Sequence, residues 1–190
     1  SRSLSGSAYI DFPVDQTAIY PDYRRNTVEL GKIQATIDSV RNDKDVSITS
    51  VWLKGFASPE SPYKHNTELA IGRTAALKKH IGQLYHFADS IIRTDYEPED
   101  WAGLRRQVEQ SNINHRGEIL ALIDSDMEPD AKEAKIKRTY PEEYRFMLQH
   151  FYPALRHTDY RIDYAIRTFS EVEEIKRIMA EQPQKLSQNE

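Results

Sequence analysis

The chain has 190 residues, with 26 Lys plus Arg against 30 Asp plus Glu, a formal net charge of −4 and no cysteine. Its cations are spread rather than clustered, which argues against nucleic acid as a partner, and the lack of cysteine removes thiol redox chemistry and thiolate metal sites. No stretch approaches the ~18 apolar residues that span a bilayer, and no charged segment leads into an apolar run as in a secretory leader.

Apolar and polar residues alternate from Ser7 to Phe12, which predicts a first strand closed by Pro13. Asp22 opens an amphipathic run in which Tyr23, Val28, Leu30, Ile33, Ile37 and Val40 recur at helical spacing, up to the polar turn Asn42-Asp43-Lys44-Asp45. The β-branched and aromatic density from Val46 to Phe56 predicts a second strand. Val51-Trp52-Leu53 is apolar on both faces, as in the middle of a helix-covered sheet. A second helix starts with Ser61 as N-cap and Pro62 at its first position. It carries Leu69, Ala70, Leu77, Ile81 and Leu84 on one face and Lys64, Glu68 and Lys79 on the other.

Ser90 to Tyr96 predicts a third strand and Tyr160 to Phe169 a fourth, in which Tyr160, Ile162, Tyr164 and Ile166 alternate with charges. Between them, from about 97 to 157, the pattern is helical, with Pro129 and Pro141 each placed to start a helix. Trp101, Leu104 and Phe151 leave apolar faces that are expected to pack on the α/β layer. The predicted fold is a two-layer α/β sandwich: a mixed sheet of about four strands, helices on one face, and a helical insert before the last strand. Residues 1–169 form this domain. Residues 170–190 form a C-terminal helix and linker, where Ser170 with Glu173 and Ser187 with Glu190 make capping boxes. The second box has no helix behind it, which suggests that the chain continues into further helices.

One residue breaks the apolar logic of the second helix. Asn66 and Arg73 lie seven residues, about two turns, apart on its packed side. A guanidinium there needs a carboxylate partner or a ligand. Asp15 or Asp11 could supply a structural ion pair. The loop Ser58-Pro59-Glu60-Ser61 enters the helix N-terminus, whose free N–H groups and positive dipole suit an incoming carboxylate. A hydrolase with Ser58 as nucleophile and His65 as base lacks both a nucleophile elbow and a third group to orient the imidazole. The histidines never fall at metal-ligand spacing, and no cofactor is implied. The eleven tyrosines suit binding surfaces as well as packing.

The run Gly55, Asn66, Leu69, Arg73 resembles the OmpA-like peptidoglycan-binding domain, in which a strand and G-x-T-D precede N-x-x-L-S-x-x-R-A on a helix. Phe12, Asp15, Ile19 and Pro21 resemble that family's opening F-x-F-D-x-x-x-L-x-P, and Arg161-Ile162 resembles its last strand. The likeness covers roughly residues 8 to 95 and 158 to 169 and leaves the insert unexplained. The Ser-Pro-Glu variant of the loop resembles Bacteroidetes envelope proteins.

The resemblance implies non-catalytic binding in the bacterial periplasm or at the outer membrane. By that likeness Arg73 holds a carboxylate of the peptidoglycan stem peptide and Asn66 bonds its backbone. The family's aspartate, which meets the ammonium of diaminopimelate, is replaced by Ser58, fifteen residues before Arg73. Glu60 could stand in for it. Wall binding is therefore expected to be weak or lost, and Ser58→Asp is expected to restore it. The alternative is a structural or assembly domain that uses its insert and C-terminal end to hold an envelope protein partner.

Overall fold

The structure is a computed structural model that describes residues 2–167 and 169–181. Four strands, β1 (Arg2–Ala8), β2 (Val46–Phe56), β3 (Ile92–Glu97) and β4 (Thr158–Ile166), form one mixed sheet in the order β1-β4-β2-β3. β4 enters last and runs antiparallel to both β1 and β2, while β2 and β3 are parallel. Helices α1 (Asn26–Arg41) and α2 (Tyr63–Tyr85) pack on one face, as a two-layer α/β sandwich requires.

β1 lies upstream of the stretch whose alternation predicts it. Residues 9–11 are held by the first turn of α1 instead: Tyr9 N donates to Glu29 Oε1 at 2.9 Å, and Asp11 N donates to Asn26 Oδ1 at 2.8 Å. Asn26 is fully buried and also donates to the carbonyls of Asp11 and Tyr20, both at 2.9 Å. Side chains thus satisfy backbone groups that a strand ladder would otherwise need. The true β1 is rich in Ser and Gly, poor strand formers, and is stabilised by its pairing with Tyr160, Ile162 and Tyr164 of β4. Asn26 opens α1 four residues later than Asp22, and Val28 is exposed.

The main core fills the space between sheet and helices, with Ile33, Ile37, Val51, Leu53, Leu77, Ile81 and Ile162 at its centre. Leu84 falls outside it, at 48% exposure. Gly55 marks the closest approach of α2 to β2, because a Cβ there would collide with Thr74 Oγ1 and crowd the Ala70 carbonyl. Gly55→Ala is expected to cost about 1–3 kcal/mol as overpacking, read as a lower urea midpoint at unchanged slope. A neutral result would show that α2 moves away freely.

The opposite face of the sheet is polar and open, so Trp52 is not covered by a helix. Two guanidiniums cover it, Arg93 at 5.4 Å and Arg161 at 5.0 Å from the ring centroid, and its Nε1 donates to Asp163 Oδ2 at 3.0 Å. The period-2 pattern holds, with Val51 and Leu53 inward, and the aromatic between them is sheltered by cross-strand arginines.

The insert comprises α3 (Trp101–Glu109), α4 (Arg116–Ile123), α5 (Pro129–Thr139) and α6 (Pro141–His150). It corrects the expected packing. Leu104 and Phe151 join Val108, Ile119, Ile136, Met147 and Tyr152 in a second core separate from the sheet's, with Trp101 partly buried at its edge. Four short helices bury their apolar stripes on each other and leave a polar seam toward the α/β layer. α7 (Phe169–Glu181) follows β4, with Met179 exposed. Ser187 and Glu190 lie outside the described residues.

Candidate functional site

The candidate site lies where the segment after β1, the loop from β2 into α2, and the chain returning from the insert to β4 meet. Arg73 extends from α2 over the Phe12 ring, 4.8 Å from its centroid, and its Nε donates to the Gln16 carbonyl at 3.0 Å. Neither acid that could pair with it does so. Asp15 Oδ1 is bonded to His65 Nε2 at 2.7 Å, and among the described residues no carboxylate forms an ion pair with Arg73. Burial first, and then the positive charge of Arg156, push its pKa down, partly offset by Asp15. An arginine stays charged under such pressure, so it presents a half-buried cation that no carboxylate neutralises among the described residues.

Ser58 is 4% exposed, and the loop turns it toward the insert's return path. Arg156 Nε donates to Ser58 Oγ at 3.1 Å and Arg156 Nη2 to Glu60 Oε2 at 2.6 Å, while Ser58 Oγ donates to the same Glu60 oxygen at 3.3 Å. Glu60 is therefore the partner of an arginine, not a free acid. An aspartate at position 58 would likewise meet Arg156, which corrects the expectation that Ser58→Asp would present a free acid. Ser58 and His65 have different partners and form no nucleophile–base pair.

Asn66 is 3% exposed, and both its N–H groups are used inside the protein, on the Ser61 carbonyl at 2.7 Å and on Glu99 Oε2 at 2.8 Å. It holds the loop and the insert to α2; a ligand contact would require it to release one of them. The helix N-cap position is Pro62, with no side-chain cap, and Tyr63 N donates to Asp130 of α5 at 2.8 Å. One of the first turn's free donors is thus satisfied from the insert.

Several charged groups at the seam carry no sequence signal. Glu99 takes bonds from Asn66 and from Trp101 Nε1 at 2.9 Å. Glu133 accepts from the Tyr144 and Tyr152 hydroxyls. Burial, with the charges of Glu99 and Glu60 adding to it, pushes Glu133 up to about 7 although the Tyr144 bond opposes this. His157 bridges Asp100 Oδ2 at 3.0 Å and Asp159 Oδ1 at 2.9 Å and stacks on Phe56 at 4.3 Å. Burial would lower its pKa, but the two carboxylates raise it. Arg156 and His157 are adjacent in sequence, and spacing rules place neither against residues some fifty to one hundred positions away.

The signs of these shifts agree. Glu133 binds its proton more tightly folded than unfolded, so that stabilisation is complete below 4.5 and fades as pH rises through about 7. The contribution of His157 is likewise complete below 6.5 and is lost as pH rises through its raised folded value. Asp100 opposes them only in acid. Its lowered pKa contributes stability above 3.8 that is lost as pH falls further. The thermal midpoint of the insert is expected to fall as pH rises through about 7, and Glu133→Gln is expected to flatten part of that fall. The same slope in both proteins would remove Glu133 from the account.

No protein-family model matches the chain, and no curated protein matches it. Among the described residues, no helix is long and apolar enough to cross a membrane.

Proposed function

We propose that this chain is a non-catalytic binding module of the bacterial cell envelope, working in the periplasm or at the outer membrane. In this reading the groove between the segment after β1 and α2 receives a carboxylate of the peptidoglycan stem peptide on Arg73. The observation that carries it is the half-buried Arg73 guanidinium, braced by Phe12 and the Gln16 carbonyl and with no acid in ion-pair contact among the described residues. A structural arginine in a packed layer would be expected to take Asp15, which instead holds His65. The likeness of Phe12, Asp15, Gly55, Asn66 and Arg73 to the OmpA-like motif and the four-stranded mixed sheet also support the reading. With Ser58 and Glu60 tied to Arg156, wall binding is weak. Co-sedimentation with purified sacculi tests this: a small bound fraction that Arg73→Ala abolishes supports it, and binding unaffected by Arg73→Ala refutes the site.

The alternative is an assembly domain whose insert holds an envelope protein. A cavity of about 440 Å³ on the insert, flanked by Ile113, Glu143, Phe146 and Phe151, with Phe146 45% exposed, favours it. In that case Phe146→Ala, not Arg73→Ala, would release the partner.

A further inference from the structure

We propose that the open face of the sheet, which carries no helix, holds a second binding site for a short run of neutral saccharide.

A cavity of about 450 Å³ lies on this face, lined by Ser5 of β1, Asp159 and Arg161 of β4, Trp52 and Lys54 of β2, and Asp95 of β3. The strand register sets these residues in a grid. Lys54 stands opposite Asp159 on one neighbouring strand and Asp95 on the other; in the next row Trp52 stands opposite Arg161, with Ser5 beyond it. Strands lie about 4.8 Å apart, so the two acidic positions are roughly 10 Å apart with the lysine position between them.

The polar groups of the lining are only half used. Asp159 receives the Ser7 hydroxyl and His157 Nδ1 on Oδ1 alone, at 2.6 and 2.9 Å, and Asp95 receives the Tyr96 N–H on Oδ1 alone, at 2.8 Å. Neither Oδ2 takes a bond among the described residues. Lys54 has a single acid contact there, with Glu97 at 3.2 Å, and keeps donors to spare.

Charge complementarity selects the ligand class. With two cations and two carboxylates in the lining, an anion meets Asp95 and Asp159, and a cation meets Lys54 and Arg161. Neither gains on balance. A hydroxyl donates and accepts at once, so neighbouring hydroxyls of a sugar ring bond a carboxylate oxygen and the lysine together. Trp52 supplies apolar surface for the C–H groups of the ring, and the volume is that of a small-ligand site.

The chain has two tryptophans, and Trp52 is the one that lines the cavity. Trp52 Nε1 donates to Asp163 on this face and Trp101 Nε1 to Glu99 at the seam, so the two indole N–H signals in NMR report on the site and on a distant reference. Cellotetraose, chitotetraose, the cationic chitosan tetramer and tetragalacturonate are titrated into the unsubstituted protein, K54A and D95A. W52F assigns the signal, and circular dichroism confirms folding. The expected result is a saturable shift of the Trp52 signal with at least one neutral tetramer while the Trp101 signal stays fixed. Both charged tetramers should bind about tenfold or more weaker, and K54A and D95A should each weaken neutral binding about two- to tenfold, as for the loss of one hydrogen bond. Preference for chitotetraose or for cellotetraose identifies an acetamido-bearing or a plain chain as the source. A charged tetramer that binds as well as the neutral ones, or an affinity unchanged in both K54A and D95A, overturns the proposal. So does a Trp52 signal that no neutral tetramer moves.

Discussion

Replacing Leu104 by alanine is expected to cost about 2–5 kcal/mol, the range for a large-to-small change at a fully buried site, and to loosen the insert while the sheet remains folded. Leu104 is fully buried in the second core, the cluster that also holds Val108, Phe151 and Tyr152, and no buried residue of the sheet's core belongs to that cluster. Ties across the seam are mainly polar: Asn66 to Glu99, Asp130 to Tyr63 N, His157 to Asp100, Arg156 to Glu60. Hydrogen exchange reads the outcome. In Leu104→Ala, amides of α3 to α6 should exchange faster than those of β2 and β4. Uniform acceleration through the whole chain would show that the two cores unfold as one unit.

Arg73→Ala is expected to weaken carboxylate binding about ten- to a hundredfold, the equivalent of one charge-assisted contact of roughly 1.5–3 kcal/mol. Arg73 ends at the Phe12 ring and the Gln16 carbonyl and forms no ion pair among the described residues, so its removal strands none of their carboxylates and should change stability little. Arg73→Lys separates charge from shape. A lysine keeps the cation but loses the fork that bonds both carboxylate oxygens and the flat face that rests on Phe12, so it should recover only part of the affinity. Full recovery would mean that the groove reads charge alone. A fall in thermal midpoint matching the loss of binding would assign Arg73 to the fold.

The layered α/β sandwich was legible because β2, α1 and α2 each carry a complete local pattern. Leu30, Ile33, Ile37 and Val40 keep the 3.6-residue period, and Val51 and Leu53 keep the period of two. β1 was not, because the Ser- and Gly-rich Arg2–Ala8 has little strand propensity of its own and its partner is 150 or more residues away. Trp52 was misjudged for a related reason. An apolar residue facing outward suggests a covering helix, and only the cross-strand register reveals the two arginines that cover it. The insert's helices were legible from Pro129, Pro141 and their apolar spacing, but which surface they bury against is a tertiary property.

At the site, sequence spacing singled out Arg73, and among the described residues no carboxylate pairs with it. Asn66 and Ser58 lie where spacing put them, at the loop and first turns of α2, yet their bonds run inward to Glu99 and Arg156. No local pattern could have brought Arg156 to Ser58 across 98 positions.

In the proposed reading the Arg73 guanidinium is a carboxylate receptor. The most direct measurement is the NMR signal of the Arg73 Nε–H group, assigned by its loss in Arg73→Ala, followed while a purified stem-peptide fragment is titrated into the labelled protein. The account predicts a saturable shift of that signal, with smaller shifts at Phe12 and Gln16. A signal that stays fixed while other regions respond to the same fragment would contradict it.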